Sequence, residues 1–216
     1  GVSNLSSPSD CYIDMENKLK YLVKNLRIDT LYIIANDHTL SPYREKLNNI
    51  ALTNTIINYK DNLVLKYFPI ASDYMVSLSK NYIWQKFKNL INHQKHSNLE
   101  IKNSWCKMTD KERIERAKGR IRFQFPLNIR SDILYNSLSR IISICKSNNI
   151  LLIGIKFPVA KSYNILSKNN YGADALIKKN GYQCLDFTQI FDDPCLFKDQ
   201  DHLNETGTKK FLEILF

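Results

Sequence analysis

The chain has 216 residues, of which 44% are apolar and 11% are aromatic. This length suits a single hydrophobic core, and the apolar content excludes an intrinsically disordered or collagen-like chain. The 31 Lys and Arg residues outnumber the 21 Asp and Glu residues, which gives a formal net charge of +10. Excess positive charge favours anionic partners, but a basic surface alone discriminates poorly, so we predict no specific nucleic-acid partner.

Neither a membrane span nor a cysteine framework is expected. The longest apolar run, residues 150–155, is interrupted by Gly154 and is far shorter than the roughly 18 residues of a membrane-spanning helix. The five cysteines are odd in number, widely spaced and free of Cys-x-x-Cys pairs, so structural zinc and a full disulfide framework are not expected. Cys145 and Cys184 lie in apolar periodic segments and are predicted to be reduced and buried. The compartment stays open, with the cytoplasm slightly favoured, and so does the oligomeric state.

The first predicted elements are a helix and a strand. Residues 13–26 place Leu19, Leu22 and Val23 on one helical stripe, which is typical of an amphipathic surface helix. Residues 28–35 form a β-branched apolar run too short for a helix, so we predict a strand that is covered on both faces. Strands of this kind belong to parallel sheets.

The middle of the chain breaks the regular pattern. Residues 63–68 predict a short strand, and residues 74–91 predict a helix. Residues 93–128 are interpreted as an irregular basic insertion that flanks the cleft. Within this insertion, Thr109 and Asp110 can cap a strongly charged helix that ends near Gly119, and a charge run of this sort usually forms a solvated face.

Regular alternation resumes towards the carboxyl terminus. Helices are predicted at residues 131–148, at residues 173–180 before Gly181, and at residues 206–215. Strands are predicted at residues 150–157 and 182–187. Repeated helix and strand alternation with short connections predicts a single doubly wound α/β domain over residues 1–216, built on a parallel sheet.

Parallel sheets bind ligands at the carboxyl ends of their strands, so polar residues that follow a predicted strand are candidates for the site. Asp37 and His38 lack a partner at metal-ligand spacing and are predicted to be a solvated loop pair, whereas Asp186 is predicted to be a loop or helix cap. The candidates after the three strands are Asn36, Asp37, His38, Lys156 and Asp186.

The most informative pair is Asp199 and His202, which lie three residues apart on a loop that enters the last helix. A carboxylate at this spacing can hold the imidazole in one tautomer while the other ring nitrogen faces a cleft. This is the base and orienting acid of a hydrolytic triad. The alternative is a helix N-terminal cap beside a surface histidine.

The stretch DQDHLNETGTKKF, which contains this pair, resembles the last conserved block of the SGNH (GDSL-like) hydrolase superfamily. The resemblance implies a flavodoxin-like three-layer α/β/α fold with a parallel sheet. It also implies that His202 is the general base for a serine nucleophile and that Asp199 orients it. Asn36 would match the oxyanion-hole Asn of the family's Gly-x-Asn-Asp block, although Ile34 replaces the usual Gly.

The start of the chain allows two alignments with the same family. Residues 1–4 look most like the second block, in which Gly1 would lend its backbone N–H to the oxyanion hole. In that alignment the first strand and its serine block lie upstream of residue 1. In the alternative, Ser3 is itself the nucleophile. The first is preferred because only one helix separates Gly1 from the strand at Leu31, where the family has a complete βα unit.

The predicted function is an ester hydrolase or O-acyltransferase of the SGNH type. Its expected substrate is a small-molecule or glycan O-acyl ester, such as one on a cell-surface polysaccharide, and the mechanism requires no metal or organic cofactor. The alternative is a non-catalytic module with the hydrolase fold that binds an anionic polymer through its basic surface.

Overall fold

The computed structural model describes residues 9–46, 48–49, 105–127, 129–167 and 169–215. Gly1 and Ser3 lie outside these residues, as do the strand predicted at 63–68 and the helix predicted at 74–91. The described residues form seven α-helices, three strands and two 3-10 helices. In chain order they are α1 (Tyr12–Asn25), β1 (Thr30–Ile34), α2 (Pro42–Lys46), the 3-10 helix Trp105–Lys107, α3 (Asp110–Gln124), α4 (Asp132–Ser147), β2 (Leu151–Lys156), α5 (Lys161–Leu166), α6 (Ala173–Lys179), β3 (Gln183–Asp186), the 3-10 helix Pro194–Leu196 and α7 (Glu205–Leu215).

The three described strands form one parallel sheet in the order β1-β2-β3. In the registers, Ile33 lies opposite Gly154 and Ile155 lies opposite Leu185. Helices lie on the sides of this sheet, which gives the three-layer α/β/α architecture. The predicted fold class is therefore confirmed. Because all three strands run the same way, their carboxyl ends meet at one edge of the sheet.

The largest core cluster packs α4 against α1 and the sheet. Ser131 caps α4 by accepting a hydrogen bond from the backbone N–H of Leu134 at 3.0 Å, and the helix then buries residues at helical spacing. Tyr12 and Leu19 of α1 are buried in the same cluster. The buried apolar residues of α4 are Leu134, Leu138, Ile141, Ile142 and Cys145.

Helix α3 is longer than the sequence predicts. Thr109 caps it as predicted, through a capping box with Glu112. The prediction that the helix ends near Gly119 is wrong, because the helix continues to Gln124. Gly119 does not take the left-handed conformation of a terminating glycine. Ile121, beyond it, packs against the core, and this packing outweighs the weak helix propensity of glycine.

The cysteines divide into one pair and three free thiols. Cys145 and Cys184 are free, as predicted; Cys145 is buried and Cys184 is partly buried, while Cys11 is also free. Cys106 and Cys195 form a disulfide across a sequence separation of 89 residues. This bond joins the two 3-10 helices, and the cysteine spacing gave no indication of it.

None of the helices in the described ranges is long and apolar enough to cross a membrane.

Candidate active site

A tight loop carries Asp199 and His202 between the second 3-10 helix and α7. An isolated antiparallel bridge joins Phe197 to Leu203, and the Lys198 N–H donates to the His202 carbonyl at 2.9 Å. The N–H of Ala160, which follows β2, donates to the Gln200 carbonyl at 3.0 Å. The loop is therefore fixed to the chain that leaves the carboxyl end of the central strand.

Asp199 and His202 are in direct contact within this loop. His202 Nδ1 lies 2.8 Å from Asp199 Oδ1 and 3.0 Å from Oδ2. With Nδ1 donating to the carboxylate, the neutral ring keeps its lone pair on Nε2, which is the nitrogen that a general base uses. The His202 side chain is 58% exposed, and no serine hydroxyl is hydrogen-bonded to its ring within the described part of the chain.

The contact shifts the ionisation of both groups. The hydrogen bond to Asp199 raises the pKa of His202, although burial opposes the shift, and the charges of Asp201 and Asp199 add to the rise. Burial would raise the pKa of Asp199, but the hydrogen bond with His202 and its charge outweigh burial and lower that pKa. Both shifts favour the ion pair over the two neutral side chains.

Asn204 and Gly207, which follow His202, hold the loop against α7. The Gly207 N–H donates to Asn204 Oδ1 at 2.9 Å, and Asn204 Nδ2 donates to the Cys195 carbonyl at 2.6 Å. A Cβ on Gly207 would lie 2.1 Å from the carbonyl oxygen of Leu196. The Leu-Asn-x-x-Gly stretch therefore fixes how the helix meets the loop, and glycine is required there because the backbones approach so closely.

Asn36 follows β1 and bridges to the chain that follows β2. Its Oδ1 accepts from the Phe157 N–H at 3.0 Å, and its Nδ2 donates to the Phe157 carbonyl at 3.3 Å. Asn36 is 6% exposed. An amide nitrogen carries two hydrogens, and the contact with the Phe157 carbonyl uses one of them.

The neighbours of Asn36 are not the solvated loop pair that the sequence suggested. Lys156 is buried at the end of β2 and lies 2.6 Å from Asp37 Oδ1 and 3.5 Å from Asp186 Oδ2. From the end of β2 it thereby pairs with one carboxylate after β1 and one at the end of β3. Asp186 also accepts from the Thr188 N–H at 3.0 Å, which agrees with its predicted role as a loop cap.

His38 is partly buried and lines a small depression at the same edge, together with Asn36 and Tyr163. Burial lowers the pKa of His38 to about 3, and the charges of Arg44, Arg120 and His202 add to this effect. His38 is therefore neutral at physiological pH.

Sequence reasoning missed the most buried carboxylate of the loop, Asp201. Its side chain is 4% exposed and lies 2.9 Å from the terminal nitrogen of Arg120 in α3. Gln124 of the same helix donates to Asp201 Oδ2 at 2.7 Å. No local signal could have found these contacts, since the partners are 81 and 77 residues away from Asp201 in sequence.

Asp199, Asp201 and His202 also lie close enough together to hold a metal ion. Asp201, however, already accepts hydrogen bonds from Arg120 and Gln124, and a guanidinium at this position opposes a second cation. His202 Nδ1 is directed at Asp199 and not at a shared centre. We therefore do not propose a metal site at these three residues.

Comparisons of the chain with models of known protein families, with curated proteins and with solved structures find no match. The assignment of the site depends on its geometry and on the resemblance of residues 199–211 to the SGNH block.

Proposed function

We propose that the protein is an ester hydrolase or O-acyltransferase of the SGNH type, with His202 as general base and Asp199 as the acid that orients it. The observation that carries this proposal is the 2.8 Å contact between Asp199 and His202 Nδ1, on a loop fixed to the carboxyl end of β2. This arrangement leaves Nε2 to take a proton from a hydroxyl nucleophile.

The chemistry would proceed through a serine outside the described residues. His202 removes the serine proton as the oxygen attacks the ester carbonyl, and the side-chain amide of Asn36 stabilises the oxyanion. His202 then returns the proton to the leaving alcohol, and water or a sugar hydroxyl releases the acyl group from the serine. The depression lined by Asn36, Asn164 and Thr188 has a volume of only about 10 Å³, so the choice of a glycan ester as substrate rests on the resemblance to the SGNH block and not on the shape of a pocket.

The test is hydrolysis of p-nitrophenyl acetate by the intact protein. We expect His202→Ala to lower kcat/KM by about 100-fold or more, the usual contribution of a general base. Lys198→Ala is the matched control, because this side chain is exposed in the same loop. Acetate release from an O-acetylated polysaccharide, compared with acetyl transfer to a sugar, then distinguishes hydrolysis from transfer. Equal rates with and without His202 would refute the catalytic assignment.

The pH profile gives a second test of the same proposal. The base must be neutral to act, so kcat/KM rises with pH through the raised pKa of His202. We expect Asp199→Asn to move this rise to lower pH, because the variant loses the carboxylate that stabilises the protonated ring.

The binding-module alternative has weaker support. The exposed cations of α3 alternate with acidic residues, so this face has mixed charge, and Arg120 is directed to Asp201. No retention on heparin at low ionic strength would exclude this alternative. The exposed charged residues of α3 are Asp110, Lys111, Glu112, Glu115, Arg116 and Arg122.

A further inference from the structure

Asp201 lies between Asp199 and His202 in sequence; its side chain is only 4% exposed, and its Oδ1 lies 3.5 Å from His202 Nδ1. Its Oδ2 accepts from Arg120 Nε at 2.9 Å and from Gln124 Nε2 at 2.7 Å. Its Oδ1 accepts from Gln200 Nε2 at 3.1 Å. A carboxylate this buried is stable only with donors around it, so the position of Asp201 is set largely by α3.

The donors of Asp201 are themselves fixed. Gln124 is fully buried at the end of α3, and its Oε1 accepts a hydrogen bond from the Tyr163 hydroxyl in α5. Ala117, one turn before Arg120, is buried in a small cluster with Val159 and Tyr163. Packing of α3 on α5 therefore determines where Arg120 and Gln124 present their donors.

Asp201 contacts the candidate catalytic pair in two ways, through its backbone N–H to Asp199 and through its Oδ1, which lies 3.5 Å from His202 Nδ1. The Asp201 N–H donates to Asp199 Oδ1 at 3.1 Å, and the same oxygen contacts His202 Nδ1. If Asp201 moves, the carboxylate that holds the imidazole loses one of its two donors. The contacts thus run without a break from α3 to Asp201, then to Asp199 and to His202.

We propose that Arg120 and Gln124 are positioning residues of the site, which hold Asp201 and through it fix the orientation of Asp199 and His202. This inference rests on the proposed function for its catalytic meaning. Helix α3 then helps to orient the candidate base His202, whereas the sequence suggested only a basic insertion beside the cleft.

The charges around His202 allow this role to be separated from simple electrostatics. Asp199 and Asp201 of the loop raise the pKa of His202, whereas Arg120 of α3 lowers it; the charge of His202 in turn lowers the pKa of His38, in the loop after β1. Removing the Arg120 charge from an unchanged loop would therefore raise the pKa of His202. Removing a positioning residue displaces Asp201, which weakens both its N–H donation to Asp199 and its own approach to His202, and both changes lower that pKa instead.

The experiment is an NMR titration of the His202 imidazole in the intact protein, with its resonances assigned by their loss in His202→Gln. We expect Arg120→Gln and Gln124→Met to lower the pKa of His202 towards the ordinary value of about 6.5. Gln124→Met changes no charge, so it keeps the test valid if Arg120→Gln does not fold. Arg122→Gln is the matched control, because Arg122 is exposed on the same helix, and we expect no shift in it.

A lower His202 pKa in either folded variant supports the positioning role, and an unchanged or raised pKa in both overturns it. The titration needs no substrate, so its outcome is independent of esterase activity. Wild-type protein without esterase activity, combined with a lowered His202 pKa in the variants, would refute the proposed function and keep the structural role of α3.

Discussion

His202 differs from an ordinary surface histidine in the partner that holds its ring. More than half of its side chain is exposed, yet Nδ1 contacts both oxygens of Asp199. An exposed ion pair of this kind contributes little to stability on its own. The contact between Asp199 and His202 instead fixes one tautomer and one orientation of the ring. The contact is stronger when His202 is protonated.

The pH dependence of stability tests this contact. The pKa of His202 is raised in the folded protein, so its stabilising contribution is fully present below the ordinary pKa of about 6.5 and is lost as the pH rises through the raised value. We expect Asp199→Asn to destabilise the protein more at about pH 6 than at about pH 9, because the protonated fraction of His202 falls as the pH rises. Urea denaturation at the two pH values measures the difference.

The control for this experiment is Asp192→Asn, because Asp192 is 86% exposed and pairs only loosely with Lys161. It should destabilise equally little at both pH values. An equal loss of stability at both pH values in Asp199→Asn would show that the carboxylate acts without the protonated ring.

For individual residues, the sequence reveals the contact between Asp199 and His202 but not the contacts of Asp201. Asp199 and His202 are three residues apart, so their contact is local and their spacing predicts it. Arg120 approaches Asp201 from 81 residues away, and that approach depends on how α3 packs. The sequence predicts a solvated His38, but the structure partly buries it. The burial that lowers its pKa comes from tertiary contacts, which the local sequence does not reveal.

Among the elements, the two glycines of the α3 and α7 segments have opposite structural roles. Gly119 lies within α3, is exposed, and would have no atom within 4 Å of an added Cβ. Gly207 lies where α7 meets the carbonyl of Leu196, with no space for a side chain. Only the second glycine is required by packing.

We expect Gly119→Ala to stabilise the protein by about 0.5–1 kcal/mol, because alanine loses less backbone entropy in a helix and meets no neighbour. Gly207→Ala should destabilise it by about 1–3 kcal/mol, because the new Cβ forces the loop or α7 to move. Free energies of unfolding from urea titrations measure both changes.

These two variants control each other, because the substitution is the same and only the site differs. Destabilisation by Gly119→Ala would mean that this part of α3 does not have the helical conformation described. A neutral Gly207→Ala would mean that α7 and Leu196 are not held as close together as they are here.

Elements were predictable where their pattern is long. Helix α4 has 16 residues and repeats its apolar residues at helical spacing along most of them, so its bounds differ little from the prediction. Helix α5 has six residues and was not predicted, because one and a half turns give no recognisable period. The end of α3 was misplaced because the packing of residues 121–124 is a tertiary effect.

For the whole molecule, the Cys106–Cys195 disulfide joins segments that are far apart in sequence and borders the candidate site. Cys195 directly precedes Leu196, whose carbonyl meets Gly207, and its own carbonyl accepts from Asn204. Disulfides persist in oxidising compartments. The bond therefore favours such a compartment over the cytoplasm, which the sequence slightly favoured.

We expect a reducing agent to lower the free energy of unfolding of the wild-type protein by about 2–5 kcal/mol, because the disulfide restricts the unfolded chain. The Cys106→Ser/Cys195→Ser variant keeps the three free thiols and should not respond to the reducing agent. Thermal or urea unfolding with and without reductant measures the effect.

Alkylation of the denatured protein checks the bond directly. Without reductant, we expect three modified residues, Cys11, Cys145 and Cys184. Modification of Cys106 and Cys195 under the same conditions would contradict the disulfide. The α/β architecture could be inferred from the alternation of helices and strands, but this pairing could not, because it depends on two distant segments meeting in the folded chain.

The side chain of Asn36 takes the place of one more residue in strand β1. Its carboxamide offers Phe157 one acceptor and one donor, as a neighbouring main-chain peptide would. The hydrogen bonding between β1 and β2 is thus extended by side-chain hydrogen bonds beyond the last backbone pair. The backbone can then leave the sheet one residue early and line the depression at this edge. The backbone N–H and carbonyl of Phe157 still have hydrogen-bond partners.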